Sequence, residues 1–307
     1  MNLVDDRRPE RRREALDLLD RLAASPESLR AERVGLTGAP GSGKSTLLDA
    51  LTRLLRARGR TVGIVAVDPS SRLSGGALLG DRIRVRSQAG DPGTFFRSMA
   101  ARDRLGGLAD ATVAGVEILA AAFDVVLVET VGVGQSESEI AEVADTVVFV
   151  AQPGAGDTLQ FMKAGLLELP DLFVVNKADL GPVAERTASE LEAGLALGAR
   201  GAAGWQPPVL RVSARDGRGV DALLESLAAH RRHLEKTGEL ERRRFAGRLA
   251  FVRGALLRRY GTRGLEKLGG EAALRARVEA AGRISGHRLV EELGSGIEAA
   301  WREGGAR

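Results

Sequence analysis

The chain has no cysteine, which removes disulfides and thiolate metal centres from consideration and suits a cytoplasmic protein. Long apolar runs are missing too. Although 44% of the 307 residues are hydrophobic, no stretch approaches the roughly 20 residues that cross a bilayer, so no membrane association is expected. The N-terminus, MNLVDDRRPERRRE, is charged and lacks the apolar core of a secretory signal. Charge of one sign is scarce as well. The net charge is only +4 and the arginines are mixed with acids along the chain, so nucleic acid is not an expected partner. Lysine is scarcer still, with Lys44, Lys163, Lys177, Lys236 and Lys267 the only ones among 45 basic residues. Codon bias accounts for arginine on the surface. Where a compact point charge must enter a tight site, however, the two are not interchangeable.

What is present is an alternation of apolar runs and helical stretches. Strands are expected at 33–37, 61–67, 123–129, 145–151, 172–176 and 209–213, most of them continuously apolar, as parallel strands covered on both faces are. Helices are expected at 44–58, 109–121, 157–168, 182–197 and 219–233. This pattern implies a doubly wound α/β fold with a mostly parallel sheet, whose ligand crevice lies at the carboxyl ends of the strands. Residues 1–30 read as an N-terminal helical segment and 31–235 as the α/β domain. Residues 236–307 read as a helical appendage, with Phe245, Leu249, Val252 and Leu256 on one face, extended by Leu257 and Tyr260. A turn is expected at 261–264 and an interruption near 282–286. An appendage of this size is too small for a large core of its own, so its apolar face needs the main domain or a second copy.

The stretch GAPGSGKST, Gly38 to Thr46, stands between an expected strand and an expected helix and fits GxxxxGK[ST]. Gly38, Gly41 and Gly43 let the backbone N–H groups of the loop, which includes Pro40 and Ser42, turn towards phosphate oxygens. The following helix adds its positive end. Lys44 would reach the β- and γ-phosphates and the Ser45 hydroxyl would ligate Mg²⁺. This is the pattern of a nucleoside triphosphate site.

The base is read from Asn176-Lys177-Ala178-Asp179. Guanine presents an N1–H and a 2-amino group side by side, and the Asp179 carboxylate can accept both; adenine offers no such pair. Lys177 would lie along the base plane, and Asn176 would tie this loop to the phosphate loop. Val212-Ser213-Ala214 ends the next strand, where backbone is expected to meet the guanine oxygen. GTP and GDP, with Mg²⁺, are the expected ligands. Glu129, at a strand tip in VVLVETVGVGQSESE, is expected to hold Mg²⁺ through water. Gly132 would offer its N–H to the γ-phosphate. Gln135 is either a water-positioning residue or an exposed loop glutamine. Asp68 either orients the attacking water or holds the metal, and Asp81 is either a second metal-shell residue or an ordinary loop aspartate. The catalytic set is thus Lys44, Asp68, Glu129 and Gln135. His230 and His233, spaced i, i+3, form an incomplete metal site and are expected to be solvated in a basic helix end.

The ordered set GAPGSGKST, VDPSS, GGALLGD, RSMAARDRLGGLA, FDVVLVETVGVGQSE, PGAGDTLQ and NKAD resembles the MeaB/ArgK family of methylmalonyl-CoA mutase-associated GTPases. The resemblance covers roughly 31–235 and continues more weakly into the tail. It implies a P-loop GTPase that chaperones an adenosylcobalamin-dependent acyl-CoA mutase, gating cofactor loading and protecting or reactivating the enzyme. It also implies a homodimer formed through the C-terminal helices. By this resemblance Lys44, Ser45, Asp68, Asp81 and Glu129 form the phosphate and magnesium set, and 154–165 is a further switch facing the mutase. The chain departs from the family in its short pre-loop segment and in having Lys163-Ala164 where relatives carry a lysine pair. A metallochaperone-type GTPase and a nucleotide-gated binding module are the alternatives.

Overall fold

The computed structural model describes residues 8–68, 90–100, 110–130, 136–154, 169–197 and 204–304. Its strands are β1 (Glu32–Thr37), β2 (Val62–Asp68), β3 (Thr94–Ala100), β4 (Val125–Glu129), β5 (Thr146–Ala151), β6 (Leu172–Val175) and β7 (Val209–Arg211). Its helices are α1 (Pro9–Ala23), α2 (Pro26–Arg30), α3 (Lys44–Ala57), α4 (Asp110–Ala120), α5 (Ser136–Val143), α6 (Pro182–Leu197), α7 (Val220–Thr237), α8 (Glu239–Lys267), α9 (Gly270–Ala280) and α10 (Gly286–Gly304). The strands form one seven-stranded sheet in the order β3-β2-β4-β1-β5-β6-β7. Every pairing in it is parallel.

The two-residue period of the strands divides the core. Val125 and Leu127 of β4 join Leu36, Ile64 and Val148 under α3 and α7. Val126 and Val128 face the other way and pack with Val65, Val67, Val116 and Leu119, against α4. Phe149 and Phe173 meet α6 on that same side through Ala184, Ala188 and Leu191. Helices on both faces explain why β4, β5 and β6 are apolar nearly throughout.

Strand β3 is absent from the strands expected from sequence. TFFRSMA carries Arg97 and Ser98 and lacks the β-branched run of its neighbours. It lies at the sheet edge, with Phe95 exposed, so one long side needs no apolar cover. The helix expected at 157–168 lies outside the described residues.

The C-terminal helices meet the main domain, as one of the two expected partners, and also one another. Phe251, Val252, Leu256, Leu265, Leu274, Val278, Leu289 and Ile297 form a core of their own, with Phe245, Leu249, Leu257 and Tyr260 around it. The apolar face of α8 is therefore covered by α9 and α10 and by Val113 of α4, and α8 also packs closely on α5, where Gly247 meets the Glu142 backbone. The chain breaks inside α8 at Gly261, whose φ of 63° no helix contains, and again between α9 and α10. Arg248 caps the second break by donating to the carbonyls of Val278, Gly282 and Ile284. Helix α1 joins this unit: Asp20 Oδ1 accepts from Ser285 N and Oγ at 3.0 and 2.7 Å, just before α10 begins.

Buried carboxylates fasten the helices to the sheet. Asp145, immediately before β5, accepts from Arg244 Nε and Nη2, both at 2.7 Å, and from Arg231 Nη1 at 3.1 Å. Asp171, immediately before β6, accepts from Arg243 Nη1 and Nη2 at 2.8 and 2.9 Å and from Val147 N at 2.9 Å. His230 is enclosed here, which corrects the solvated helix-end reading. It has no exposed surface, its Nε2 lies 3.3 Å from Asp171 Oδ1, and its Nδ1 lies 2.8 Å from Thr146 Oγ1. Trp205 covers it at 4.8 Å and also covers His233, half-buried, at 5.3 Å. The pair of histidines is a packing feature of the sheet's lower end.

Burial raises the Asp145 carboxyl, but hydrogen bonds and charge from Arg244, with Arg33 and Arg231, outweigh it and hold the group below its ordinary value. For Asp171 burial is likewise overcome by His230 and Arg243. Both groups therefore bind a proton less readily folded than unfolded. Their stabilisation is complete above about pH 4 and is lost as pH falls through their lowered folded values. Asp145→Asn leaves two buried guanidinium groups without their shared anion and should cost about 3–5 kcal/mol in urea unfolding at pH 7. The difference from the parent should shrink as pH drops below 4; a constant difference would show that the carboxylate charge is not what matters.

Candidate functional site

Because all strands run in parallel, β1, β2, β4, β5 and β6 end on one side, and their loops converge there. The loop between β1 and α3 folds as its composition demands. Gly38 has φ 137° and Gly43 φ 91°, both outside the range that side chains accept. Space forbids a side chain as well: a Cβ on Gly38 would stand 2.2 Å from the Val150 carbonyl oxygen, and one on Gly43 2.4 Å from Asn176 Nδ2. Gly41, at φ 82°, turns beside Gln152. Pro40 stands in the loop and Thr46 in the first turn of α3, whose N-terminus points at the loop.

Lys44 is buried and curls back over this loop, its Nζ donating to the carbonyls of Gly38 at 2.7 Å and Ala39 at 3.1 Å. Ser45 Oγ donates to Glu129 Oε1 at 2.7 Å. Residues separated by 84 positions are thus brought together. Asp68 closes β2 opposite Ala100, at the same sheet end as Glu129, which pairs with Ala66. Asp81, Gly132 and Gln135 lie outside the described residues, as does the proposed switch beyond Gly154.

Asn176 makes the central connection. Its Nδ2 donates to the Ser42 carbonyl at 2.9 Å and the Gly43 carbonyl at 3.3 Å, and its Oδ1 accepts from Ala214 N at 3.1 Å. One buried amide uses both ends, joining three loops. Lys177 adopts φ 58°, the one positive value outside glycine among the described residues, and its Nζ reaches the Gly41 carbonyl at 2.8 Å. Its stem therefore bridges the two loops. Asp179 accepts from Ser213 Oγ at 2.9 Å, and its other oxygen lies 3.2 Å from Arg215 Nη2. Sequence reasoning missed Arg215, Asp216 and Gln152. The first two directly follow Ser213-Ala214, and consecutive opposite charges at a strand end were the available signal. Gln152 offers none, since only β5 carries it to Gly41.

A cavity of about 460 Å³ lies elsewhere, between α4, α5 and α8–α10, and includes no residue of these loops. Phosphate loops are shallow and backbone-lined, so cavity size does not locate them. Among the described residues no group of three or more His, Asp or Glu is placed to hold a metal by itself.

A parallel sheet carrying a phosphate loop, a strand-tip carboxylate and a base loop at one end defines a P-loop GTPase, an enzyme that hydrolyses GTP. Residues 1–260 match the family model described as methylmalonyl-CoA mutase-associated GTPase MeaB. A putative GTPase of Pyrococcus horikoshii is 50% identical over 217 residues, covering 70% of this chain and 68% of that protein. The mitochondrial methylmalonic aciduria type A homolog of Mus musculus is 37% identical over 215 residues, covering 69% of this chain and 52% of that protein. A solved structure described as a LAO/AO transport system kinase aligns at TM-score 0.66 and 29% identity, over 96% of this chain and 91% of that one. The chain belongs to the MeaB family of methylmalonyl-CoA mutase-associated GTPases.

Asn176→Ala removes both ties at once and leaves the Ala214 N–H and the Ser42 carbonyl without their partner. Stability should fall by about 1–3 kcal/mol in chemical denaturation, and GTP and GDP affinity should fall by similar factors. Unchanged binding of both nucleotides would show that Asn176 does not organise the site.

Proposed function

We propose that this protein uses GTP binding and hydrolysis to chaperone an adenosylcobalamin-dependent acyl-CoA mutase, gating cofactor loading and protecting or reactivating the enzyme. The observation that carries the reading is the convergence of Lys44, Ser45 and Glu129 with the Asn176–Asp179 loop, in a chain of the mutase-associated family. The name of the mouse relative, which refers to methylmalonic aciduria, supports the mutase side.

In this reading the backbone N–H groups of 38–46 and Lys44 Nζ bind the phosphates. Lys44 exchanges its bonds to Gly38 and Ala39 for phosphate oxygens, which costs little because both sets are acceptors at one place. Asp179 takes guanine's two donors, Lys177 lies along the ring, and Ser213 and Ala214 border the base. The Ser45 hydroxyl and the Glu129 carboxylate are hard oxygen donors already in contact, a set that suits Mg²⁺. When bound, Mg²⁺ would neutralise charge on the β- and γ-phosphates. Asp68 and Asp81 complete that surrounding, Gly132 senses the γ-phosphate, and Gln135 orients water.

The domain division 1–30, 31–235 and 236–307, a cytoplasmic location and a homodimer through the C-terminal helices belong to the same proposal. No described helix is long and apolar enough to cross a membrane. The direct test is GTP hydrolysis measured with and without each acyl-CoA mutase of the same organism; a rate indifferent to all of them would overturn the chaperone reading.

Asp179→Asn should exchange guanine for xanthine preference, since an amide can donate to the xanthine carbonyl, and should weaken GTP by about 2–4 kcal/mol. Equal GTP affinity in the variant would remove the base assignment. Asp157→Ala and Lys163→Ala should leave intrinsic hydrolysis near normal while reducing mutase stimulation about 5–150-fold, a coupling of about 1–3 kcal/mol. Full stimulation in a folded variant would exclude the altered residue from the switch.

A further inference from the structure

Asp179 is not idle in this structure. One of its oxygens is held by Ser213 Oγ at 2.9 Å, and the other lies 3.2 Å from Arg215 Nη2. The same arginine donates from Nε to Asp216 Oδ1 at 2.9 Å, and its Nη2 lies 3.5 Å from Asp216 Oδ2. Ser213 Oγ is also 3.1 Å from Asp216 Oδ2, and it has one proton for two carboxylates. A single guanidinium and a single hydroxyl therefore serve both acids. Arg218 stands further off, its Nη2 3.9 Å from Asp216.

Arg215 Nη2 thus engages one of the two oxygens with which Asp179 would accept guanine's donors. We propose that Arg215 is an exchangeable counter-ion of Asp179, a residue that occupies the base-reading carboxylate until guanine displaces it and so tunes guanine affinity. The inference rests on the assignment of Asp179 to guanine. A base with two adjacent donors can replace the arginine on the carboxylate; a base without them leaves Arg215 in place and gains no bond. Displacement is cheap because Arg215 is not stranded. Its Nε bond to Asp216 persists, and its side chain is 74% exposed, so water reaches the freed N–H groups. Asp216 is thus the parking position. Arg215 holds the Asp216 carboxyl below its ordinary value, with Ser213 adding to the effect.

Exchange before binding has a kinetic signature. When only a fraction of molecules present a free Asp179, apparent affinity is reduced by that fraction, and the reduction appears in association rather than dissociation. The pair is exposed, so the effect is modest: an ion pair of this kind contributes up to about 1 kcal/mol, equivalent to about fivefold.

The experiment is stopped-flow binding of fluorescent GDP to the full chain, with ADP and XDP as competitors and thermal melting as the folding control. Arg215→Ala should tighten GDP by about two- to fivefold through faster association, with dissociation nearly unchanged, and should leave ADP, which never displaces the arginine, no tighter than before, so that the preference for GDP over ADP rises. Asp216→Asn removes the parking charge, leaves Arg215 more firmly on Asp179, and should weaken GDP by a similar factor. The double variant should bind like Arg215→Ala, because without the arginine the parking position has no role. Equal or weaker GDP binding in a folded Arg215→Ala variant would overturn the proposal. So would Asp216→Asn that binds as tightly as the parent. Failure of the underlying base assignment is distinguishable: the parent itself would then fail to prefer GDP over ADP, and Asp179→Asn would change nothing.

Discussion

Asn176 fixes the geometry on which the nucleotide site depends. The phosphate loop, the base loop and the end of β7 come from distant parts of the chain, and backbone pairing sets only the strands beneath them. The amide of one buried side chain then sets the loops against one another, donating to Ser42 and Gly43 and accepting from Ala214. Asparagine suits this task because it carries two donors and an acceptor on one rigid plane. Aspartate has no donor for the loop carbonyls. The close approach of Asn176 to Gly43 in turn requires glycine there, since any Cβ would stand 2.4 Å from the amide nitrogen.

The two ends of the same parallel strands perform different work. At the carboxyl ends, loops expose carbonyls, hydroxyls and charges that a ligand can exchange for its own. Lys44 and Arg215 both occupy acceptors that phosphate or base chemistry can replace or release. At the amino ends, Asp145 and Asp171 are buried and bonded by arginines of α7 and α8. Desolvated carboxylates of that kind are costly unless several donors hold them, so the paired arginines commit the C-terminal helices to the sheet. The helical unit is therefore tied to the amino end of the sheet, opposite the end that carries the phosphate loop. The arm carries its own apolar core, which leaves its outer surface, including the exposed Trp301, available to other contacts.

The parts that were legible in the sequence are those whose physical requirement is local. Backbone that must turn around phosphate needs glycines at fixed steps, and the loop is one unbroken stretch. The residues proposed to read the base are likewise adjacent in sequence, at the end of a buried strand. Central strands announce themselves because burial on both faces demands uninterrupted apolar residues. β3 escaped this reading since an edge strand is covered on fewer sides. His230 escaped it because a helix of mixed charge says nothing of the tryptophan that closes over one of its positions. The arm's core was hidden for a similar reason. One amphipathic helix shows that a partner exists, whereas the fold-back at Gly261 and before α10 decides that the partner is its own chain.

The sequence by itself determined the class of fold and the phosphate loop, and it carries the run proposed to select guanine, because each is written in a short stretch of residues with a single chemical reason. Tertiary structure decided which distant groups share a charge or a hydrogen bond. Ser45 meets Glu129, Asn176 meets Ala214, and Arg215 is divided between Asp179 and Asp216. Those choices follow from strand order and loop closure, since parallel crossovers bring together residues that sequence separation keeps apart. Hydrogen bonds act over about 3 Å, so only the folded chain can select the partners.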